Sequence, residues 1–159
     1  QLITLQVNTK FVLGGYTDKV VIAGYRTFTN YLVLVQVINQ MLEEKWATEP
    51  FHLIWGTASG VDSLAYEVLV EDNDYTHTAF PADWEDVEVP GAVIKYHRNG
   101  EPYNAVAGHQ RNTAMAQVAD KGIIIWNGVS NGTRDMMKKL DRAGKPYRVF
   151  NYYGDEIWP

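Results

Sequence analysis

Short apolar runs alternate along the chain with longer segments of helical periodicity. The run at 123–125 is three consecutive isoleucines, which is typical of a strand buried on both faces. Similar runs occupy residues 19–24 and 51–55, both of which stop at a glycine, and residues 145–150. Residues 75–80 alternate polar and apolar side chains, so we expect that strand nearer an edge of the sheet. The pattern therefore predicts five main strands.

The segments between these strands predict helices. Apolar residues recur near helical spacing from 32 to 42, so one face of that helix should pack on the sheet. Further helices are predicted from Val61, from the 108–112 segment and at 131–143. Strands that alternate with helices indicate a mostly parallel sheet with helices on both faces. With right-handed crossovers, we predict a doubly wound α/β fold whose strands lie in the order 3-2-1-4-5.

Two segments fall outside this alternation. Residues 1–18 begin with alternating apolar and polar positions at 3–7, which predicts an N-terminal β extension. Residues 85–107 are long for an ordinary connection, and we expect them to contain a hairpin with its tip at Asn99–Gly100 that serves as a lid or an interface arm. We expect the 159 residues to form a single domain.

Composition narrows the classes of function. The net charge of −5 argues against a large basic face for duplex nucleic acid. Cysteine is absent, so no disulfide or thiolate metal site can form, and no histidines and acids show metal-ligand spacing. No apolar run approaches the roughly 18 residues of a membrane span, and no signal peptide is visible. We therefore expect a cytoplasmic protein without a metal or cofactor.

Glycine-bearing turns follow the carboxyl ends of the first, second and fourth predicted strands. Ligands of such sheets bind at the switch point, which lies here between the first and fourth strands. The free amides and positive end of a helix start suit a phosphate, and we interpret Arg26 as a phosphate or carboxylate clamp. Ordinary strand-to-helix turns are the alternative. The candidate ligand-binding residues in these turns are Gly24, Tyr25, Arg26, Gly56, Ser59, Gly60, Asp62, Gly128, Ser130, Gly132 and Thr133.

Four more candidates lie elsewhere in the chain. Arg111 and Asn112 begin a helix whose start should face the same crevice, although Asn112 also suits a helix cap. Asp83 and Trp84 either position a base by stacking or buttress the lid. Asp62 is either a structural acid near a helix start or an acceptor for a ribose hydroxyl. No acid or base has a visible partner at fixed spacing, so catalytic residues stay unassigned.

Five motifs stand in order along residues 19–150. They are Val-Ile-Ala-Gly-Tyr-Arg at 21–26, Gly-Thr-Ala-Ser-Gly-Val-Asp at 56–62, Phe-Pro-Ala-Asp-Trp at 80–84, Gly-His-Gln-Arg-Asn at 108–112 and Trp-Asn-Gly-Val-Ser-Asn-Gly-Thr at 126–133. With these motifs the chain resembles the SLOG superfamily, to which SMF/DprA and LOG proteins are related. The resemblance is to its YspA-like, YpsA-related branch, which is common in bacteria and their phages.

The resemblance implies a Rossmann-like domain that binds a nucleotide or a nucleotide-derived signalling molecule, as sensor domains of bacterial defence do. Other members are the "lonely guy" phosphoribohydrolases, whose motif ends in a glutamate. Met136 stands at that position here, and Val129 replaces a glycine, which puts hydrolysis in doubt.

We expect a homo-oligomeric binder that sequesters its ligand if the source is a phage. The alternatives are a nucleotide hydrolase that cleaves an N-glycosidic or phosphate bond, and a structural or interaction protein.

Overall fold

The apolar runs of the sequence form a six-stranded sheet in the computed structural model, which describes residues 16–157. In chain order the strands are β1 (Lys19–Gly24), β2 (His52–Trp55), β3 (His77–Ala79), β4 (Ile94–Tyr96), β5 (Pro102–Asn104), β6 (Lys121–Ile125), β7 (Tyr147–Phe150) and β8 (Glu156–Ile157). The helices are α1 (Tyr31–Glu43), α2 (Val61–Tyr66), α3 (Ala107–Val118) and α4 (Asn131–Arg142). Helix α2 continues into a π-helical turn over Glu67–Glu71 that the sequence pattern does not predict.

The sheet has the order β3-β2-β1-β6-β7-β8. All neighbouring pairs are parallel except β7 and β8, which are antiparallel. Strands β6 and β7 are the predicted fourth and fifth strands, so the doubly wound α/β class and the order 3-2-1-4-5 are confirmed. The edge strand β8 was not predicted, because its two residues are too few to show a period.

Both faces of the sheet are covered by helices. Val20 and Ile22 face a core shared with α1 and α2, whereas Val21 and Ala23 face a second core shared with α3 and α4. The isoleucines of 123–125 divide between the same two cores, and all three are fully buried. Burying each such side chain stabilises the fold by roughly 1.5–3 kcal/mol. This explains the continuous apolar run of β6 and fixes the carboxyl ends of β1 and β6 side by side.

The long insert forms the predicted hairpin. Strands β4 and β5 pair antiparallel, with Ile94 opposite Asn104, and make a separate two-stranded sheet. The predicted N-terminal β extension lies mainly outside the described residues, and residues 16–18 contain no strand. Within residues 16–157, no helix is both long and apolar enough to cross a membrane. The extent of the single domain stays a prediction.

Candidate ligand-binding site

Two adjoining cavities lie at the carboxyl ends of the central strands. The larger has a volume of about 340 Å³ and lies among the turns after β1 and β6 and the start of α3. The smaller has a volume of about 200 Å³ and is lined by the turn after β2 and by Ala82 and Trp84, which precede the insert. Arg26, Ala58, Trp84 and Arg111 line both cavities. The predicted switch point is therefore a concave surface with two compartments.

Most of the predicted site residues line one or both cavities. Those that do are Gly24, Arg26, Gly56, Ser59, Asp62, Trp84, Arg111, Asn112, Ser130, Gly132 and Thr133. Those that line neither are Tyr25, Gly60, Asp83 and Gly128. The second group shapes turns or packs in the core.

Arg111 is held at the boundary between the cavities. Its Nη1 donates to the carbonyl oxygens of Gly56 and, at 3.3 Å, of Phe80, which follow β2 and β3. Its Nε donates to Oδ1 of Asn112 at 3.1 Å. A Cβ atom at residue 56 would lie 2.6 Å from Nη1, so only glycine leaves room for the guanidinium. Burial lowers the pKa of Arg111, and the charge of Arg26 lowers it further.

Arg26 follows β1, and its side chain is exposed at the boundary of the two cavities. Ser59 donates a hydrogen bond to the Arg26 carbonyl at 3.4 Å, which joins the turns after β1 and β2. Gly60 makes this junction possible: its φ is +78°, and a Cβ atom there would lie 2.5 Å from the Arg26 carbonyl oxygen. Gly60 therefore positions Arg26 and does not line a cavity.

Asp62 is the only carboxylate among the described residues that line the two cavities. It is 4% exposed, and its Oδ2 accepts a hydrogen bond from the backbone N–H of Ala58 at 3.3 Å. Burial raises the pKa of Asp62 to about 6, against the opposing effects of the Ala58 amide and the nearby charge of Arg111. A group that ionises so close to neutral pH in a cavity is a candidate functional group.

The fourth-strand turn leads into α4. The hydroxyl of Ser130 caps this helix by accepting from the Thr133 N–H at 3.3 Å. Asn127 organises the turn itself, because its Oδ1 accepts from the N–H groups of Val129 and Ser130 at 3.0 and 2.9 Å. The positive end of α4 therefore faces the larger cavity, with Gly128 in the turn but away from the cavity lining.

The amide of Asn112 is already occupied by protein partners. Besides accepting from Arg111, it donates to the Gly132 carbonyl at 3.3 Å and to Oδ2 of Asp135 at 3.0 Å. Asp135 also pairs with Lys139 at 2.7 Å. Asn112 is 6% exposed and thus ties Arg111 to the start of α4. Its position at the cavity agrees with the sequence, but the geometry gives it a positioning role.

Trp84 immediately precedes the long insert and forms a wall of both cavities. Its indole packs on Gly108, where a Cβ atom would lie 3.3 Å from Cη2 of the ring, and 39% of the residue is exposed. Asp83 points elsewhere: its Oδ1 accepts from the N–H groups of Glu85 and Asp86, both at 3.2 Å. Of the Asp83–Trp84 pair, only Trp84 is thus placed to contact a ligand.

Sequence reasoning missed the apolar part of the lining. The larger cavity also contacts apolar side chains from β1, the insert, α3 and α4: Ala23, Ala105, Met115 and Met136. Alanine and methionine carry no functional group that would mark them in the sequence as ligand-binding residues. Ala105 reaches the cavity only because of the path that the insert takes. His109 also lines the larger cavity, and its Nδ1 lies 3.9 Å from Oδ1 of Asp135. In the described part of the chain, no three potential metal ligands cluster together.

No family model and no curated protein matches the chain. Among solved structures, the X-ray structure of DNA processing protein A (DprA) from Streptococcus pneumoniae is similar, with a TM-score of 0.57 and 19% sequence identity. The two chains share a doubly wound α/β fold. The match covers 85% of this chain and 50% of DprA, so the chain spans about half the length of that protein. At this identity the similarity concerns the fold alone.

Proposed function

We propose that the two-compartment cavity binds a nucleotide or a nucleotide-derived signalling molecule without converting it. The observation that carries this proposal is the pair of arginines at the boundary of the cavities. Within residues 16–157, neither Arg26 nor Arg111 has a carboxylate partner within 4.0 Å. A guanidinium without a carboxylate partner keeps its charge available for an anion, although Nη1 and Nε of Arg111 already donate to Gly56, Phe80 and Asn112. A hydrogen bond to a charged group contributes about 1.5–3 kcal/mol.

The like charges favour a bound anion in a second way. Burial lowers the pKa of Arg111 and the charge of Asp62 opposes this, while the charge of Arg26 lowers the pKa further because the two cations repel each other. A phosphate between them removes this repulsion, and the positive end of α4 supports the same negative charge. Planar guanidinium groups also match the oxygen geometry of phosphate.

The remaining walls suit a nucleobase. Trp84 offers an exposed aromatic surface beside Ala105, Met115 and Met136. Stacking of a base on an aromatic side chain contributes about 1–3 kcal/mol. Together these features support a ligand that is anionic at one end and planar at the other.

Binding without turnover is the version that the lining chemistry favours. Met136 lines the cavity at the position where the phosphoribohydrolase motif carries its glutamate. The competing hydrolase function has one observation in its favour, which is the raised pKa of Asp62. Asp62→Asn separates the two: a hydrolase that uses this carboxylate releases product and loses that turnover in the variant, whereas a binder releases no product with either protein.

Thermal denaturation against a panel of nucleotides tests the binding proposal. The panel contains mononucleotides, dinucleotides, cyclic dinucleotides, nucleoside diphosphate sugars and a short single-stranded oligonucleotide. A ligand at 100 times its dissociation constant adds about 2.7 kcal/mol to the free energy of unfolding. We expect a selective shift that Arg26→Ala removes and that the control Arg142→Ala, at the far end of α4, retains. No shift with any ligand would contradict the proposal.

The proposal also covers the oligomeric state and the cellular location of the protein. Ile94 and Tyr96 expose apolar surface on the hairpin, 49% and 68% of each residue, and we propose that this arm contacts a second copy in a cytoplasmic homo-oligomer. Light scattering of the purified protein measures the oligomeric state. A monomer at all concentrations, or an Ile94→Ser and Tyr96→Ser double variant with unchanged mass, would contradict this part.

A further inference from the structure

The two cavities differ in chemistry as well as in size. The larger combines apolar side chains and the Trp84 ring, which suit an uncharged planar group, with polar groups from Asp62, Asn112 and the start of α4. The smaller has small and hydroxyl-bearing residues between its arginines: Gly56, Thr57, Ala58, Ser59 and Ala82. The side-chain and backbone groups of this second set suit a hydroxyl-rich group rather than a base.

The boundary between the cavities is cationic. Arg26 and Arg111 line both, so a phosphate bound by them has open space on either side. A single nucleoside monophosphate fills only the larger cavity and leaves the smaller one vacant. Sites for drug-sized ligands have about 300–1,000 Å³, and the smaller cavity at about 200 Å³ is below that range. It therefore suits one sugar ring and not a complete second nucleoside.

The backbone at the smaller cavity is strained. Thr57 has a φ of +63°, a conformation that a β-branched residue rarely adopts and that costs on the order of 1–3 kcal/mol. Nη1 of Arg111 donates to the carbonyl oxygen of Gly56, the residue that precedes Thr57. Strain of this kind persists where the surrounding structure holds a segment in a working geometry. The turn after β2 is thus held in the strained conformation that forms the smaller cavity.

From these observations we propose that the ligand is a nucleoside diphosphate that carries a second sugar. Its nucleoside occupies the larger cavity, its phosphates lie between Arg26 and Arg111, and the second sugar occupies the smaller cavity beside Ser59 and Ala82. This inference rests on the proposed nucleotide-binding function and specifies the class of nucleotide.

Matched pairs of probes test it by calorimetry on the full chain. The pairs are AMP with ADP-ribose, GMP with GDP-mannose and UMP with UDP-glucose. For one pair, we expect the wild-type protein to bind the diphosphate sugar at least about tenfold more tightly than the mononucleotide, which corresponds to about 1.4 kcal/mol. This comparison needs no variant and is independent of any folding defect.

Two substitutions then assign the groups to the cavities. Ala82→Leu narrows only the smaller cavity, and Ala105→Leu narrows only the larger one. We expect Ala82→Leu to abolish the preference for the diphosphate sugar and to leave the affinity for the mononucleotide unchanged. Ala105→Leu should weaken both probes.

The outcomes separate this inference from the proposed function. Equal affinity for both members of every pair, or a preference that survives Ala82→Leu, overturns the two-part ligand. Mononucleotide binding that Arg26→Ala abolishes would still uphold the proposed function in that case. Absence of binding to all six probes and to the wider panel overturns both.

Discussion

Replacing Asp62 by asparagine should stabilise the protein at neutral pH. The carboxyl group is 4% exposed, and it accepts a hydrogen bond from the backbone N–H of Ala58 at 3.3 Å. An asparagine of the same shape keeps an oxygen for that bond and carries no charge. The substitution therefore removes the cost of an ionised group in a buried position while it preserves the packing.

The magnitude follows from the pKa of Asp62, which rises from an ordinary value of 3.8 to about 6. The folded state holds this proton more tightly than the unfolded state does. The resulting stabilisation is complete below about pH 4 and is lost as the pH rises through about 6. Each pH unit between the two pKa values corresponds to about 1.4 kcal/mol, so the loss amounts to about 3 kcal/mol. The Asp62→Asn variant does not lose this stability, because asparagine does not ionise.

Urea denaturation followed by circular dichroism at pH 4, 5, 6 and 7 measures the effect. We expect the free energy of unfolding of Asp62→Asn, relative to wild type, to increase by about 3 kcal/mol between pH 4 and pH 7. The control is Asp155→Asn, which changes an exposed aspartate and should show a constant difference from wild type across this range. A constant difference for Asp62→Asn as well would refute the reasoning.

Three further predictions concern the framework of the site and are measured by urea denaturation at pH 7. Arg111→Ala should lower the free energy of unfolding by about 2 kcal/mol, because it removes charged hydrogen bonds to carbonyl groups after β2 and β3. Arg26→Ala should change the free energy of unfolding by no more than about 0.5 kcal/mol. Equal effects of the two substitutions would contradict the difference in the roles of these arginines. Gly60→Ala should cost at least about 2 kcal/mol, since its φ is +78° and a Cβ atom meets backbone carbonyls, and a neutral result would contradict that turn geometry. Lys145→Met should cost about 1–2 kcal/mol, because the ammonium group donates to the last carbonyls of α3, and an unchanged stability would show that this cap is ineffective.

The alternation of strands and helices could be predicted from the sequence because each buried strand is a run of apolar residues. The isoleucines of 123–125 are apolar at every position since both faces of β6 are covered, and the order of the five main strands follows from the direction of crossovers. The edge strand β8 and the π-helical turn at Glu67–Glu71 depend on pairing and packing at a distance. Neither has a local pattern of its own.

The candidate site could be predicted from the sequence only where the topology of the fold determines which residues lie together. Residues that follow parallel strands meet at one edge, which is why Arg26 and Ser59 could be placed near each other from the chain alone. The hydrogen-bond partners of polar side chains could not be predicted in this way. Asn112 binds Arg111 and Asp135, and Asp83 caps its own turn, because neighbours in space decide which of several acceptors a polar side chain takes.

Asp62 connects the stability of the fold with the proposed function. An ionised carboxylate in a buried position destabilises the folded state by about 3 kcal/mol above its pKa, and asparagine or alanine at the same position would avoid that cost. The carboxylate also lies where a bound anion would be repelled if Asp62 were ionised. A phosphate between the arginines therefore favours the protonated acid, and binding should take up a proton near pH 7. In that case the affinity for an anionic ligand rises as the pH falls from 8 to 5, and Asp62→Asn binds with a flatter dependence on pH. Under the proposed function, the regulation of ligand binding would account for an acid that destabilises the fold.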